Sequence, residues 1–246
     1  MLLPLNPTRP ADGDTLSQYL SAERLRPYLV ATHGRTSDAL DLSRWNIAAS
    51  SAVYESLHVV EVVLRNTIDA RLREWNRVPD RRDPGTRHGP DWTLDPCRTL
   101  RGLLGKDLPG ACARARKAVA MSSRPRRDVT HGDVVAHLTL GTWRYLLPAR
   151  TIRKSPSKAT LWRQALGAGF PHIAGDHRQL VDDVATTHLL RNRVAHLEPL
   201  IRQGVIEDGS DAMRRVVESI HPDLGAWHVD QSRIAQVLAD RPALSP

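Results

Sequence analysis

SRWNIAASSAVYESLHVVEVVLRNTIDARLREW, residues 43–75, decides the fold class of this chain. Its apolar residues Val53, Leu57, Val60, Leu64, Ile68 and Leu72 recur every three or four positions, the period of a helix and not of a strand. Ser43 is placed as the N-cap, an interruption is expected near Ser50 and Ser51, and Pro79 with the arginines after it supplies the stop. Downstream, Arg98 to Lys106 and Ala111 to Met121 read as helices separated by Pro109 and Gly110. Gly132 to Leu147 reads as one buried helix carrying Val134, Val135, Leu138, Trp143, Leu146 and Leu147, closed by Pro148. Thr160 to Ala168, Gln179 to His196, Ala212 to Ile220 and Asp230 to Ala239 complete the helical candidates, with a turn expected around Pro222 to Gly225. Residues 79–96, with four prolines and two glycines, read as a long exposed loop, and residues 150–158 as a basic one. Strand alternation and internal repeats are absent. The expectation is one all-α domain over residues 1–246, with its core at about 43–200 and a C-terminal helical extension over 201–246.

A chain of 246 residues with 41% hydrophobic and 25% charged residues belongs with folded globular proteins. Thirty-five Lys+Arg against 27 Asp+Glu leave a formal charge of +8, which favours an acidic partner such as nucleic acid. The excess is nearly all arginine, whose planar fork suits phosphate. Cys97 and Cys112 make neither a paired-cysteine metal site nor a disulfide framework, so a reducing cytoplasm fits best. The first ten residues carry no leader pattern, and no run of 18 apolar residues occurs, so neither export nor a membrane span is expected.

The run Arg191-Asn192-Arg193-Val194-Ala195-His196 lies in the last turns of the Gln179 helix, before Glu198 and Pro199. At about 100° per residue, Asn192 and His196 share a face and Arg191 flanks them. Cleavage of RNA through its 2′-hydroxyl needs a group to take that proton, a group to protonate the leaving 5′-oxygen, and positive charge on the phosphorane between them. Histidine and arginine supply these without a metal. One histidine does not readily serve as acid and base in one step, so the run reads as half of a site completed by a second copy.

Three ordered blocks carry a resemblance to the Abi-like, abortive-infection proteins of the HEPN superfamily, over about residues 45–200. Glu61, Leu64, Arg65, Asn66 and Ile68 look like the family's E-x-x-L-R-N-x-I helix. Asp133-Val134-Val135 and Leu140-Gly141-Thr142-Trp143 are similar to its D-V-V…L-x-F-G-x-W segment, with Leu140 in place of the aromatic residue. Arg191 to His196 matches R-N-R-x-x-H, although Leu197 stands where many members have a second histidine. The resemblance implies a dimerising helical bundle with extra helices and long basic loops. It implies a composite, metal-independent and cofactor-free endoribonuclease site, and a toxin's role in phage defence, held in check by a protein or small-RNA antitoxin. Arg191, Asn192 and His196 are the catalytic candidates. Members with a degraded motif are non-cleaving RNA-binding or scaffold modules, which is the alternative.

Glu61 and Arg65 stand one helical turn apart and read first as a surface ion pair. With Asn66 and Arg193 they are also candidates for supporting the motif. Arg124, Arg126, Arg127, Arg150, Arg153 and Lys154 are candidates for tracking an RNA backbone, though aromatic residues for base stacking are few. His131, His137, His172 and His177 form no ligand set and read as ordinary surface or core histidines.

Overall fold

The apolar stripe of residues 43–75 runs further back than Ser43, because Ala39 and Leu42 continue it and both are buried. In the computed structural model, which describes residues 21–78, 85–123, 127–149 and 155–243, helix α1 spans Ala22–Ala31 and helix α2 spans Thr36–Asn76. Ser43 therefore lies inside α2, and the helix continues through Ser50 and Ser51 without a break. Ser51 donates its hydroxyl back to the Ile47 carbonyl at 3.0 Å, a bond that a helical serine can make without leaving the helix.

The remaining helices are α3 (Arg98–Leu104), α4 (Asp107–Ala120), α5 (His131–Ala136), α6 (Leu140–Leu146), α7 (Pro156–Gln164), α8 (His177–Ala195), α9 (Val205–Ile220), α10 (Pro222–Gln231) and α11 (Ile234–Ala239). A 3₁₀ turn, Leu166–Gly169, follows α7. The described residues contain no strand, and the fold is all-α.

Several further boundaries differ from the sequence reading for local reasons. Pro109 and Gly110 sit in the first turn of α4, where a missing N–H costs no helical bond, and the break falls instead at Gly105, with φ 47°. Gly132 to Leu147 is two helices. Thr130 and Asp133 form a reciprocal capping box that starts α5, and the Thr139 hydroxyl accepts from the Thr142 N–H to start α6. Pro222 opens α10 as its first residue, with His221 Nδ1 accepting from the Asp223 N–H, so no turn forms there. The described end of the proline-rich loop is anchored by buried Trp92, Thr93 and Cys97. Trp92 donates its indole N–H to Asp69 at 2.7 Å, and buried Asn76 bonds the Gly89 and Asp95 carbonyls and the Cys97 N–H.

Helix α2 is the axis of the molecule, with α1, α6, α8, α9, α10, α11 and the 3₁₀ turn packed against it. By length and composition alone it could cross a membrane, but its stripe of Leu42, Val53, Val60, Leu64, Ile68 and Leu72 is buried among these helices. The α8–α9 pair is tight because Gly209 leaves room for Leu190, with which a Cβ would collide. Buried Asp183 of α8 takes a forked pair of bonds from Arg215 of α9, at 2.7 and 3.1 Å, which fixes the register of the two helices.

Candidate active site

Helix α8 starts at Asp176, whose carboxylate accepts from the Arg178 N–H, and turns Leu180, Val184, Thr187 and Leu190 into the core at helical spacing. Val194 is half-buried and Ala195 is exposed, so the inward face of the helix stops short of Ala195. His196 is the C-cap. The Leu197 N–H bonds the Val194 carbonyl at 3.1 Å, and the Glu198 N–H bonds the Arg193 carbonyl at 2.8 Å. This paired closure requires a left-handed residue between the helix and its exit, and Leu197, with φ 57°, supplies it where glycine is usual. Closure is thus complete before Pro199 is reached.

The exit segment is tied down from three directions. Arg24 of α1 donates to the Leu197 carbonyl at 3.1 Å, Asn46 of α2 accepts from the Leu200 N–H at 2.7 Å, and Arg241 donates to the Ile201 carbonyl at 2.5 Å. His196 consequently has a fixed backbone and an exposed imidazole, while Arg191, Asn192 and Arg193 are half-buried one turn behind it. Among the described residues no hydrogen bond or ion pair joins the side chains of Arg191, Asn192 and His196. Next to this helix end a groove of about 850 Å³ opens between α1 and α2, lined in part by Tyr28, Ile47, Tyr54, Val194, Leu197 and Pro199. Ile47, Tyr54 and Leu197 are 65%, 64% and 69% exposed, so the face beside the motif is largely apolar and is not covered by any of the described residues.

The supporting candidates are distributed differently. Among the described residues Glu61 and Arg65 do not pair, and the buried Arg65 Nε has no hydrogen-bond partner. Asn66 is exposed, and none of the three bonds Arg191 or His196 among the described residues. The described contact of Arg193 is made by its backbone carbonyl in the helix closure. Arg127 forks onto Asp133 at 2.5 and 2.7 Å, holding that carboxyl well below the usual carboxylate range. Its charge is therefore committed to the α5 cap. Arg124, Arg126, Arg150, Arg153 and Lys154 lie outside the described residues.

His131, read as an ordinary histidine, is a core one with an acidic partner far away in sequence. Its Nε2 lies 2.9 Å from Asp69, and its Nδ1 lies 2.8 Å from the Thr93 hydroxyl. The order resembles a nucleophile triad, but Thr93 is 2% exposed and closed to substrate, so the chain of bonds pins the proline-rich loop to α2 and α5. The sequence reading missed His188 and Arg144. Arg144 of α6 donates to His188 Nδ1 at 3.4 Å, and burial, reinforced by the charges of Arg144 and Arg191, lowers the His188 pKa below the usual histidine value. The i, i+3 spacing of His188 and Arg191 was the available signal. Among the described residues no group of three His, Cys, Asp or Glu side chains is arranged to hold a metal.

Comparison with protein-family models, with curated proteins and with solved structures finds no match to this chain.

Proposed function

We propose that this chain is an Abi-like, HEPN-type endoribonuclease that cuts RNA without a metal, acting as a cytoplasmic abortive-infection toxin restrained by a protein or small-RNA antitoxin. The observation that carries the reading is the exposed imidazole of His196, held rigidly at the end of α8 with Arg191 and Asn192 in the preceding turn. In the reaction the 2′-oxygen attacks the adjacent phosphorus as a base removes its proton. The P–O5′ bond breaks as an acid protonates the 5′-oxygen, which leaves a 2′,3′-cyclic phosphate and a 5′-hydroxyl. Arg191 faces the charge of the phosphorane, and Asn192 orients the phosphate or the ring. Two proton-transfer groups are needed and the run supplies one, so the second is His196 of another copy, brought in by a dimer seated on the apolar face of Ile47, Tyr54 and Leu197.

The test is incubation of the purified protein with end-labelled RNA in excess chelator. Products ending in cyclic phosphate are expected, and His196→Ala lowers their rate by about 10²- to 10⁴-fold with circular dichroism unchanged. A shifted band without products identifies a non-cleaving RNA-binding module instead, and a strict need for Mg²⁺ overturns the mechanism.

A further inference from the structure

Four groups capable of positive charge come together from three helices around the start of the motif. Arg144 comes from α6, Lys158 from α7, and His188 and Arg191 from α8. Among the described residues none of the four has a carboxylate within ion-pair distance. Elsewhere the arginines that close helix ends and fix registers do have such partners, as Arg127 has Asp133 and Arg215 has Asp183. Like charges gathered without a counter-charge repel one another, an arrangement that an incoming anion relieves.

The contact between Arg144 and His188 is chemically specific. A guanidinium only donates, so His188 Nδ1 accepts and the ring proton of the neutral imidazole is on Nε2. Nε2 in turn faces Gly141, where a Cβ would come within 3.2 Å of it, so a glycine at that point of α6 lets the ring pack against the helix. Lys158 lies with its ammonium 3.3 Å from the centre of the Tyr145 ring, and burial, joined by the nearby charge of Arg144, lowers its pKa.

We infer that Arg144 and His188, with Lys158 at the margin and Arg191 between them and the motif, form a phosphate-binding subsite that takes a phosphodiester of the RNA strand next to the one being cut. The inference rests on the RNA reading above. His188 stands eight residues before His196, roughly 12 Å along the helix axis. That is too far for both rings to serve one phosphorus atom, and it suits a neighbouring phosphate of the same strand. Protonation of His188 at Nδ1 ends its contact with Arg144 and turns both groups into donors toward one anion.

The probe is a 2′-O-methyl oligoribonucleotide, which binds but has no free 2′-hydroxyl to attack. Fluorescence anisotropy over a salt series should give Arg144→Gln about tenfold weaker binding than the unmutated protein, the size of one lost charge-assisted contact. The slope of log affinity against log salt should fall by about 0.7. His188→Asn should weaken binding as well, and Arg144→Lys should fall between Arg144→Gln and the unmutated protein. In the unmutated protein, inorganic phosphate should move the NMR titration of the His188 ring to higher pH, a change that a purely packing role would not produce.

Folded variants with unmutated affinity and salt slope overturn the inference, as does a His188 titration indifferent to phosphate. If the protein cuts RNA while Arg144→Gln binds normally, this subsite fails and the cleavage reading stands. If the oligonucleotide binds through Arg144 but no RNA is cut, the subsite stands and the cleavage reading fails.

Discussion

His228 of α10 is 3% exposed, and burial holds its imidazole below the ordinary histidine value. An unfolded chain binds a proton at such a ring near pH 6.5, whereas the folded one binds it only at lower pH. Between those two points the unfolded state carries more protons, so stability falls as pH drops from 7 toward 5. His188 acts with the same sign. Urea denaturation at pH 7, 6 and 5 should show the midpoint falling in that order, and His228→Leu should flatten the trend. An unchanged trend in the variant removes His228 as its source. The two histidines differ in what answers their charge. His228 has the core and the Ser56 backbone around it, while an anion can offset protonation of His188.

At the scale of the element, the end of α8 combines a strained residue with a firm anchor. Leu197 occupies the left-handed position of the helix closure, which costs a residue with a Cβ roughly 1–2 kcal/mol, and its side chain is 69% exposed, so little burial offsets that cost. Leu197→Gly should raise the stability of the isolated chain by about 0.5–1 kcal/mol, read from the urea midpoint at constant slope. Lower stability would mean that the Leu197 side chain packs more usefully than its exposure indicates. Strain retained next to a candidate catalytic histidine is consistent with a use for that side chain beyond the folded monomer.

At the scale of the whole molecule, α1, the front of α2 and the end of α8 leave an apolar groove beside His196 that none of the other described residues covers. If a second copy covers it, the protein should sediment as a concentration-dependent dimer. Tyr54→Glu or Ile47→Glu should shift it to monomer, because each places a charge in the middle of that face while leaving the α2 core stripe intact. Cleavage should fall with the dimer. A monomer that cuts RNA at the full rate, at concentrations well below any association, would remove the need for a partner histidine.

The sequence by itself determined the helical class and the place of the motif, because both depend on a local repeat of 3.6 residues. The stripe Val53 to Leu72, the inward face Leu180 to Thr187, and the position of His196 at the end of its helix can all be read from neighbours a few residues away. Helix boundaries were less legible where polar caps compete with the repeat, as at Thr139, whose cap starts α6 and splits one apolar run into two helices. Only the tertiary structure decided that Trp92 is core and not loop surface, that Arg127 is committed to Asp133, and that Glu61 and Arg65 stay apart. It alone brought Arg144 to His188, 44 residues away, and opened the groove beside Leu197. Periodicity is a property of one helix, whereas such contacts are fixed by which faces of different helices pack together, and no spacing within a single helix records that.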